Sequence, residues 1–197
     1  MASQMNTNAL SLCLFSLPVF YVMLKPKLTK QENTRNTPMN KLESFLRPPF
    51  PPIIRNMLSA CRLAYMSTVD GDSSHLCLMR FTYLKDEDDG EIVILSTQRK
   101  TKKFDMLQMQ NGVALLIHDF PQLGDGRDGV HSITLNGQCQ IVEPGEKAEK
   151  FRKAHLAHNP DYPQFIEGPD IAMLMIHVTS ARICNINDQV TKWSVDS

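Results

Sequence analysis

Apolar positions along the chain change their period several times, and those changes mark out the elements. Ile53, Ile54, Met57, Leu58 and Cys61 recur at helical spacing behind Pro51 and Pro52. Proline suits a first helical turn, where the missing N–H would have no partner in any case. A shorter helix is expected over Lys41 to Leu46, stopped by Pro48 and Pro49. Leu63 to Val69 then reads as a strand, Asp70-Gly71-Asp72-Ser73 as a hairpin turn, and His75 to Lys85 as the returning strand. Asp86 to Gly90 is an acidic turn and Glu91 to Ser96 a third strand. Phe104, Met106, Leu107 and Met109 predict a helix over Thr101 to Asn111, with Thr101 as its cap and Gly112 as its stop. Val113 to Ile117 is a fourth strand, Gln122 to Gly129 a glycine-rich loop and Val130 to Val142 a fifth strand. Pro144 to Ala157 is a charged amphipathic helix, and Ile171 to Ile186 a sixth strand or a bent pair. Six strands joined mostly by hairpins, with two or three helices, predict a mainly β or α+β domain built on an antiparallel barrel, not a doubly wound parallel sheet.

The N-terminus departs from this pattern. Residues 1–40 carry Lys25, Lys27, Lys30 and Arg35 against Glu32, a local charge of +3 in a chain whose formal net charge is zero. Ala9 to Leu24 is a run of 16 uncharged, mostly apolar residues broken by Ser11, Ser16 and Pro18. That is short of the ~20 residues a membrane span needs, and no basic residue precedes it as in a secretory signal. A weak anchor, a disordered extension and an upstream stretch absent from the working protein all remain open. Residues 41–197 are expected to form the folded domain.

Composition removes several classes. A balanced charge, 21 Lys plus Arg against 21 Asp plus Glu, gives no basic excess for nucleic acid. The five cysteines, Cys13, Cys61, Cys77, Cys139 and Cys184, are widely spaced and form no CxxC pair, so they read as free thiols of a reducing compartment. No P-loop and no GxGxxG occurs. No GxSxG supports a hydrolase around His118-Asp119. His155 and His158 have no carboxylate or thiol at ligand spacing and read as a solvated helix end, so no metal is expected. Met106, Met109, Met173 and Met175 fit ordinary core packing.

One stretch carries a chemical signal. Thr97-Gln98-Arg99-Lys100-Thr101-Lys102-Lys103 places four cations where a strand turns into a helix. The positive end of the helix dipole disfavours cations by a few tenths of a kcal/mol each. An anion would reverse that cost, since helix N–H groups, the Thr97 and Thr101 hydroxyls and the ammonium groups converge there. A solvated basic turn is the alternative. Arg80 is the second signal. It shares a strand face with Leu76, Leu78 and Thr82, and if that face is the inner one it needs a partner such as phosphate, whose oxygens match a guanidinium fork. If Cys77, Met79 and Phe81 face inward instead, Arg80 points out. Alternation alone does not choose, because both faces are apolar.

Arg80-Phe81-Thr82-Tyr83-Leu84-Lys85 followed by Ser96-Thr97-x-x-x-Thr101-Lys102-Lys103 resembles the pyridoxamine 5′-phosphate oxidase family. That family's pattern is Arg, four residues and Lys on one strand, then Thr, three residues and Ser-Arg-Lys at a helix start. Thr101 stands here for the Ser and Lys102 for the Arg. Gly137 falls where the family's fifth strand carries a glycine. The resemblance spans roughly residues 45–186 and looks strongest to small fungal homologues of the oxidase. It implies an FMN-binding split barrel. Arg80, Thr101, Lys102 and Lys103 would hold the FMN phosphate, and Phe81, Thr82, Ser96 and Thr97 would line the ribityl chain and ring. Ser132 stands where the oxidase has a ring-contacting glutamine, and Lys85 where a lysine helps bind the substrate phosphate.

The resemblance further implies a homodimer with FMN at the interface, each site drawing on both chains, and an oxidoreductase passing a hydride from a small substrate to the flavin. The setting would be the cytoplasm, with the nucleus a second compartment. Non-catalytic binding of FMN or pyridoxal phosphate is the alternative. The departures fall on the substrate side. Lys150-Phe151-Arg152-Lys153-Ala154-His155 lacks the Tyr, Ser and Pro of the family's Tyr-Phe-x-Ser-Arg-Pro segment. The C-terminal Asp188-Gln189-Val190-Thr191-Lys192-Trp193 has neither the Arg nor the His of its Arg-Leu-His-Asp-Arg segment. Trp193 would cover a flavin from the partner chain or anchor the C-terminus. Arg182 would cap the barrel or reach a flavin, with the structural role preferred.

Overall fold

The computed structural model describes residues 48–71, 73–120 and 129–196. The extension at residues 1–40, the helix expected at Lys41 to Leu46 and most of the loop from Gln122 lie outside the described residues. The chain runs through helix α1 (Pro52–Ala60), strands β1 (Leu63–Asp70), β2 (Ser73–Arg80), β3 (Thr82–Asp86) and β4 (Gly90–Gln98), and helix α2 (Lys102–Met109). Strands β5 (Gly112–His118) and β6 (His131–Val142) follow, then helix α3 (Glu146–His158), a single 3-10 turn at Pro163–Phe165, and strands β7 (Ile171–Asn185) and β8 (Val190–Ser194). The strands form one antiparallel eight-stranded sheet in the order β2-β1-β5-β6-β7-β4-β3, with β8 added beside β7.

The expected antiparallel architecture is therefore present, with eight strands in place of six. One expected strand is divided and one further strand is added. His75 to Lys85 breaks at Phe81, because the chain changes partner there: β2 pairs with β1, whereas β3 pairs with β4. Ile171 to Ile186 holds a single strand, β7, not a bent pair, and β8 is a strand beyond it that turns back along its C-terminal part.

Two cores share the sheet. Phe50, Ile54, Leu58, Met66, Phe81, Val93, Leu95, Leu115, Ile133 and Ile176 fill the barrel interior. On the other side of β4 and β7, Ile92, Ile94, Met173 and Met175 pack under Ala148 and Phe151 of α3. This explains why Ile92 to Leu95 and Ile171 to Val178 are buried without alternation: each of these strands has apolar matter on both faces. β6 bulges between Asn136 and Gly137, and a Cβ at Gly137 would lie 2.4 Å from the His177 carbonyl oxygen. Only glycine lets the two backbones approach that closely. Trp193 packs edge-on against Phe50 with ring centroids 5.1 Å apart, which ties β8 to the barrel.

Alternation on β2 resolves with Met79 and Phe81 buried and Leu76, Leu78 and Arg80 facing outward. Of the two orientations left open for Arg80, the structure has the outward one: the odd-numbered residues are the apolar inner set. The outward face continues across the sheet, since Tyr65 pairs with both Leu78 and Leu116, and Leu63 pairs with Arg80. Leu63, Tyr65, Leu76, Leu78 and Leu116 are all exposed there.

Candidate functional site

Arg80 closes β2 where the open apolar face meets the rim of α3. The segment leaving α3 lies over it. The Arg80 guanidinium carbon sits 3.3 Å from the centroid of the Tyr162 ring, and Nη1 donates to Asn159 Oδ1 over 3.4 Å. Asn159 is in turn fixed from below. Its Nδ2 donates to Thr82 Oγ1 at 3.3 Å and to the His155 carbonyl at 3.1 Å. Thr82 Oγ1 lies 2.9 Å from His155 Nδ1. Asn159 Nδ2 also lies 3.4 Å from His155 Nδ1, so Asn159, Thr82 and His155 form one cluster beneath Arg80. Further along the same segment, Ser96 Oγ donates to the Phe165 carbonyl at 2.8 Å. Arg80, Thr82 and Ser96 thus lie under one stretch of chain.

His155 is a correction. It is 1% exposed, not part of a solvated helix end. Ala148, Phe151 and His155 are the buried positions of α3, spaced as one helical stripe. Burial first, then the nearby charges of His158 and Arg80, push the His155 pKa down to about 4. The imidazole is therefore neutral at physiological pH, with Nδ1 hydrogen-bonded to the Thr82 hydroxyl. His155, Asn159 and Tyr162 are the residues that sequence reasoning missed. The available signal was the stripe at 148, 151 and 155, which puts a polar ring at the end of an apolar row.

The basic turn is divided by the structure. Arg99 lies 5.6 Å over the Phe104 ring, and its backbone N–H donates to the Asp170 carbonyl. Lys100 pairs with Asp170 at 3.3 Å. Thr101 caps α2: its hydroxyl accepts from Phe104 N at 3.3 Å and donates to the Gln98 carbonyl at 2.8 Å. Thr97 is buried, with its hydroxyl 3.5 Å from that of Thr101. Lys102 is exposed and Lys103 half-buried in the first turn of α2, so these two cations of the four remain at the helix N-terminus. Arg80 pairs with Leu63 of β1, while Ser96 and Thr97, on the strand that leads to Thr101, pair with Met173 and Ala172 of β7.

The other expected residues stand apart in one chain. Phe81 is fully buried and its N–H donates to the Arg62 carbonyl at 3.1 Å. Lys85 is exposed near the far end of β3, opposite Glu91. Ser132 lies opposite His118 on β6. Strands β1 and β5 separate it from β2, which is three strand spacings or roughly 14 Å. Arg182 is exposed and shares the outward face with Thr134. A surface cavity of about 400 Å³ lined by Arg99, Glu149, Arg152, Glu167 and Met173 opens beside the N-terminal half of α3. It does not include Arg80, Lys102 or Lys103. Among the described residues no cluster of His, Cys, Asp and Glu is arranged to hold a metal ion, and no helix is long and apolar enough to cross a membrane.

Comparison with known proteins follows this geometry. The sequence model of the pyridoxamine 5′-phosphate oxidase family matches residues 50–185. A pyridoxamine 5′-phosphate oxidase homolog of Schizosaccharomyces pombe is 29% identical, over 74% of this chain and 90% of that protein. Among solved structures, a heme binding protein from Mycobacterium smegmatis aligns with a TM-score of 0.60 at 14% identity, over 72% of this chain and 56% of that one. A FAD-binding protein from Mesorhizobium loti aligns with a TM-score of 0.54 at 13% identity, covering 66% of this chain and 89% of the other. A pyridoxamine 5′-phosphate oxidase-type protein from Listeria innocua gives 0.50 at 20% identity, covering 68% and 96%. These structural likenesses concern the fold, whereas the family match runs from the first barrel residue to the end of β7, and on that ground the chain belongs to the pyridoxamine 5′-phosphate oxidase family.

Proposed function

We propose that this protein binds FMN as a homodimer and acts as an oxidoreductase on a small substrate. The observation that carries the reading is Arg80. It is a cation with no carboxylate partner among the described residues, held by an amide and an aromatic ring at the rim of an exposed apolar face. A guanidinium held by neutral groups keeps its full charge for an incoming phosphate. Lys102 and Lys103 at the capped start of α2 supply a second set of donors. The residues present therefore fit a flavin phosphate. Phe81, Thr82, Ser96 and Thr97 would flank the polyol chain. FMN, when bound, supplies a ring that accepts a hydride, and the protein's part is to hold and orient it.

The open face supports the homodimer. Leu76 and Leu78 are 64% and 55% exposed, and with Leu63, Tyr65 and Leu116 they form one contiguous apolar surface. Such a surface marks an interface. It also answers the separation of Ser132 from Arg80, since a second chain on this face would bring its own Ser132 toward the site. Cys61, Cys77, Cys139 and Cys184 form no disulfides with one another, which accords with a cytoplasmic or nuclear setting.

A second reading, ligand binding without turnover, is favoured by one observation. The residues in place of the family's substrate segment are spent on structure: Lys150 on Asp86 at 2.5 Å, Arg152 on the Ile166 and Ile171 carbonyls, and His155 on Thr82. Lys85 and Lys153 are the exposed cations left on the substrate side, so pyridoxamine phosphate is a weak substrate candidate. The test is gel filtration of the full chain incubated with FMN, followed at flavin wavelengths, with pyridoxamine phosphate turnover assayed on the eluted protein. Flavin eluting with protein at dimer size supports the reading. Flavin eluting only as free cofactor overturns it.

A further inference from the structure

Asn159 and Tyr162 lie just past the C-terminal end of α3, on the segment that covers Arg80. We propose that they are positioning residues which preset the Arg80 guanidinium for a phosphate group. The inference rests on the flavin-phosphate reading above and adds to it how the cation is held.

Three observations carry it. First, the Tyr162 ring lies 3.3 Å from the guanidinium carbon, which fixes the plane of the fork and covers one of its faces. Second, Asn159 Oδ1 takes one N–H of Nη1, which fixes rotation within that plane. The asparagine cannot turn its amide round, because Nδ2 is engaged by Thr82 Oγ1 and the His155 carbonyl. Third, both holding groups are neutral. An acid in either place would hold the arginine as firmly and cancel its charge. The guanidinium has five N–H groups in a rigid fork, and the asparagine uses one. The rest stay available to phosphate oxygens while the side chain has already lost its rotamer freedom, and that pre-ordering lowers the cost of binding.

A purely structural role is the competing account, in which Arg80 serves only to pin the segment over β4. The two differ in what they do to the phosphate. FMN and riboflavin share ring and polyol and differ by that group alone. Both are to be titrated into the full-length wild type, Tyr162→Ala, Asn159→Ala and Tyr162→Phe, with flavin fluorescence as readout and a thermal melt of each variant as control. The expected result is a rise of about tenfold in the FMN Kd for Tyr162→Ala and Asn159→Ala, the scale of one lost cation–π or charged hydrogen-bond contact. Riboflavin Kd stays unchanged, and Tyr162→Phe keeps wild-type affinity for both. Equal changes for the two ligands, or unchanged FMN affinity in folded variants, would overturn the positioning role while leaving the cofactor reading intact. Absence of FMN binding by the wild type would overturn both.

Discussion

The sheet has two apolar faces outside the barrel interior, and the described residues of the chain close only one of them. Under α3, Ile92, Ile94, Met173 and Met175 meet Ala148 and Phe151 and form a second core. Across β2, β1 and β5, Leu63, Tyr65, Leu76, Leu78 and Leu116 are left exposed, with Tyr65 stacked on His118. The closed face contributes to stability. The open face costs stability in a lone chain and is intelligible as a surface for a second one. Arg80 sits on the boundary, held from the closed side and bordered by Leu63 on the open side. On the proposed reading, a phosphate held by Arg80 and a second chain docked on the open face would make binding and assembly depend on each other.

Four changes would break or sharpen this contrast. The largest effect is expected from Phe151→Ala, which empties the centre of the closed core. It should cost about 4 kcal/mol and lower the melting temperature by more than 10 °C, on the scale of buried Phe→Ala changes in domains of this size. A loss under about 1 kcal/mol would mean that α3 is not what stabilises that face.

Acidification comes next. The His155 pKa is about 4 in the folded chain against 6.5 unfolded, so the unfolded state takes up the proton first as pH falls. Stability is fully present above pH 6.5 and is lost progressively down to about pH 4. From pH 7 to pH 5 the loss from this group should be about 2 kcal/mol, and His155→Gln should flatten that part of the profile in urea titrations.

On the open face, Leu78→Asp should leave the melt of the lone chain nearly unchanged and weaken the proposed dimer at least about tenfold, seen as a later gel-filtration peak. A monomer already present in the wild type would contradict the contrast at its root. The smallest effect is expected from Asp86→Asn. Burial pushes the Asp86 pKa up, but hydrogen bonds from Lys150 and from the Asp88 and Asp89 amides outweigh it and hold it below the usual value. The Lys150 side chain is largely exposed, so the substitution should cost about 1 kcal/mol, measured by chemical denaturation.

Much of the fold is legible in the chain because local signals and tertiary contacts agree. The Thr101 cap, the turn after Asp70 and the helix ending near His158 are all set by residues close to one another in sequence. The break at Phe81 is not, because it arises from a change of partner strand that alternation cannot encode: Cys77, Met79 and Phe81 keep an unbroken inward rhythm through it. Arg80 was likewise undetermined, since both faces of β2 are apolar and the outer one is left open. Motif resemblance singled out Arg80, Thr101, Lys102 and Lys103 but not the residues that hold Arg80. Asn159 and Tyr162 reach it from 79 and 82 positions away, and nothing in a short motif records such a contact. Arg99 and Lys100 belong to the same basic run as Lys102 and Lys103, yet both turn toward Asp170 or Phe104. A charge run states how many cations are present but not where each one points.

The most direct test of the central claim is the difference in affinity between FMN and riboflavin for the wild type and for Arg80→Ala. The account predicts that the wild type binds FMN at least about a hundredfold more tightly, the scale of a charge-assisted phosphate contact, and that Arg80→Ala removes most of that preference while riboflavin affinity stays the same. Equal affinities for the two flavins in the wild type, or a preference for FMN that survives loss of Arg80, would contradict it.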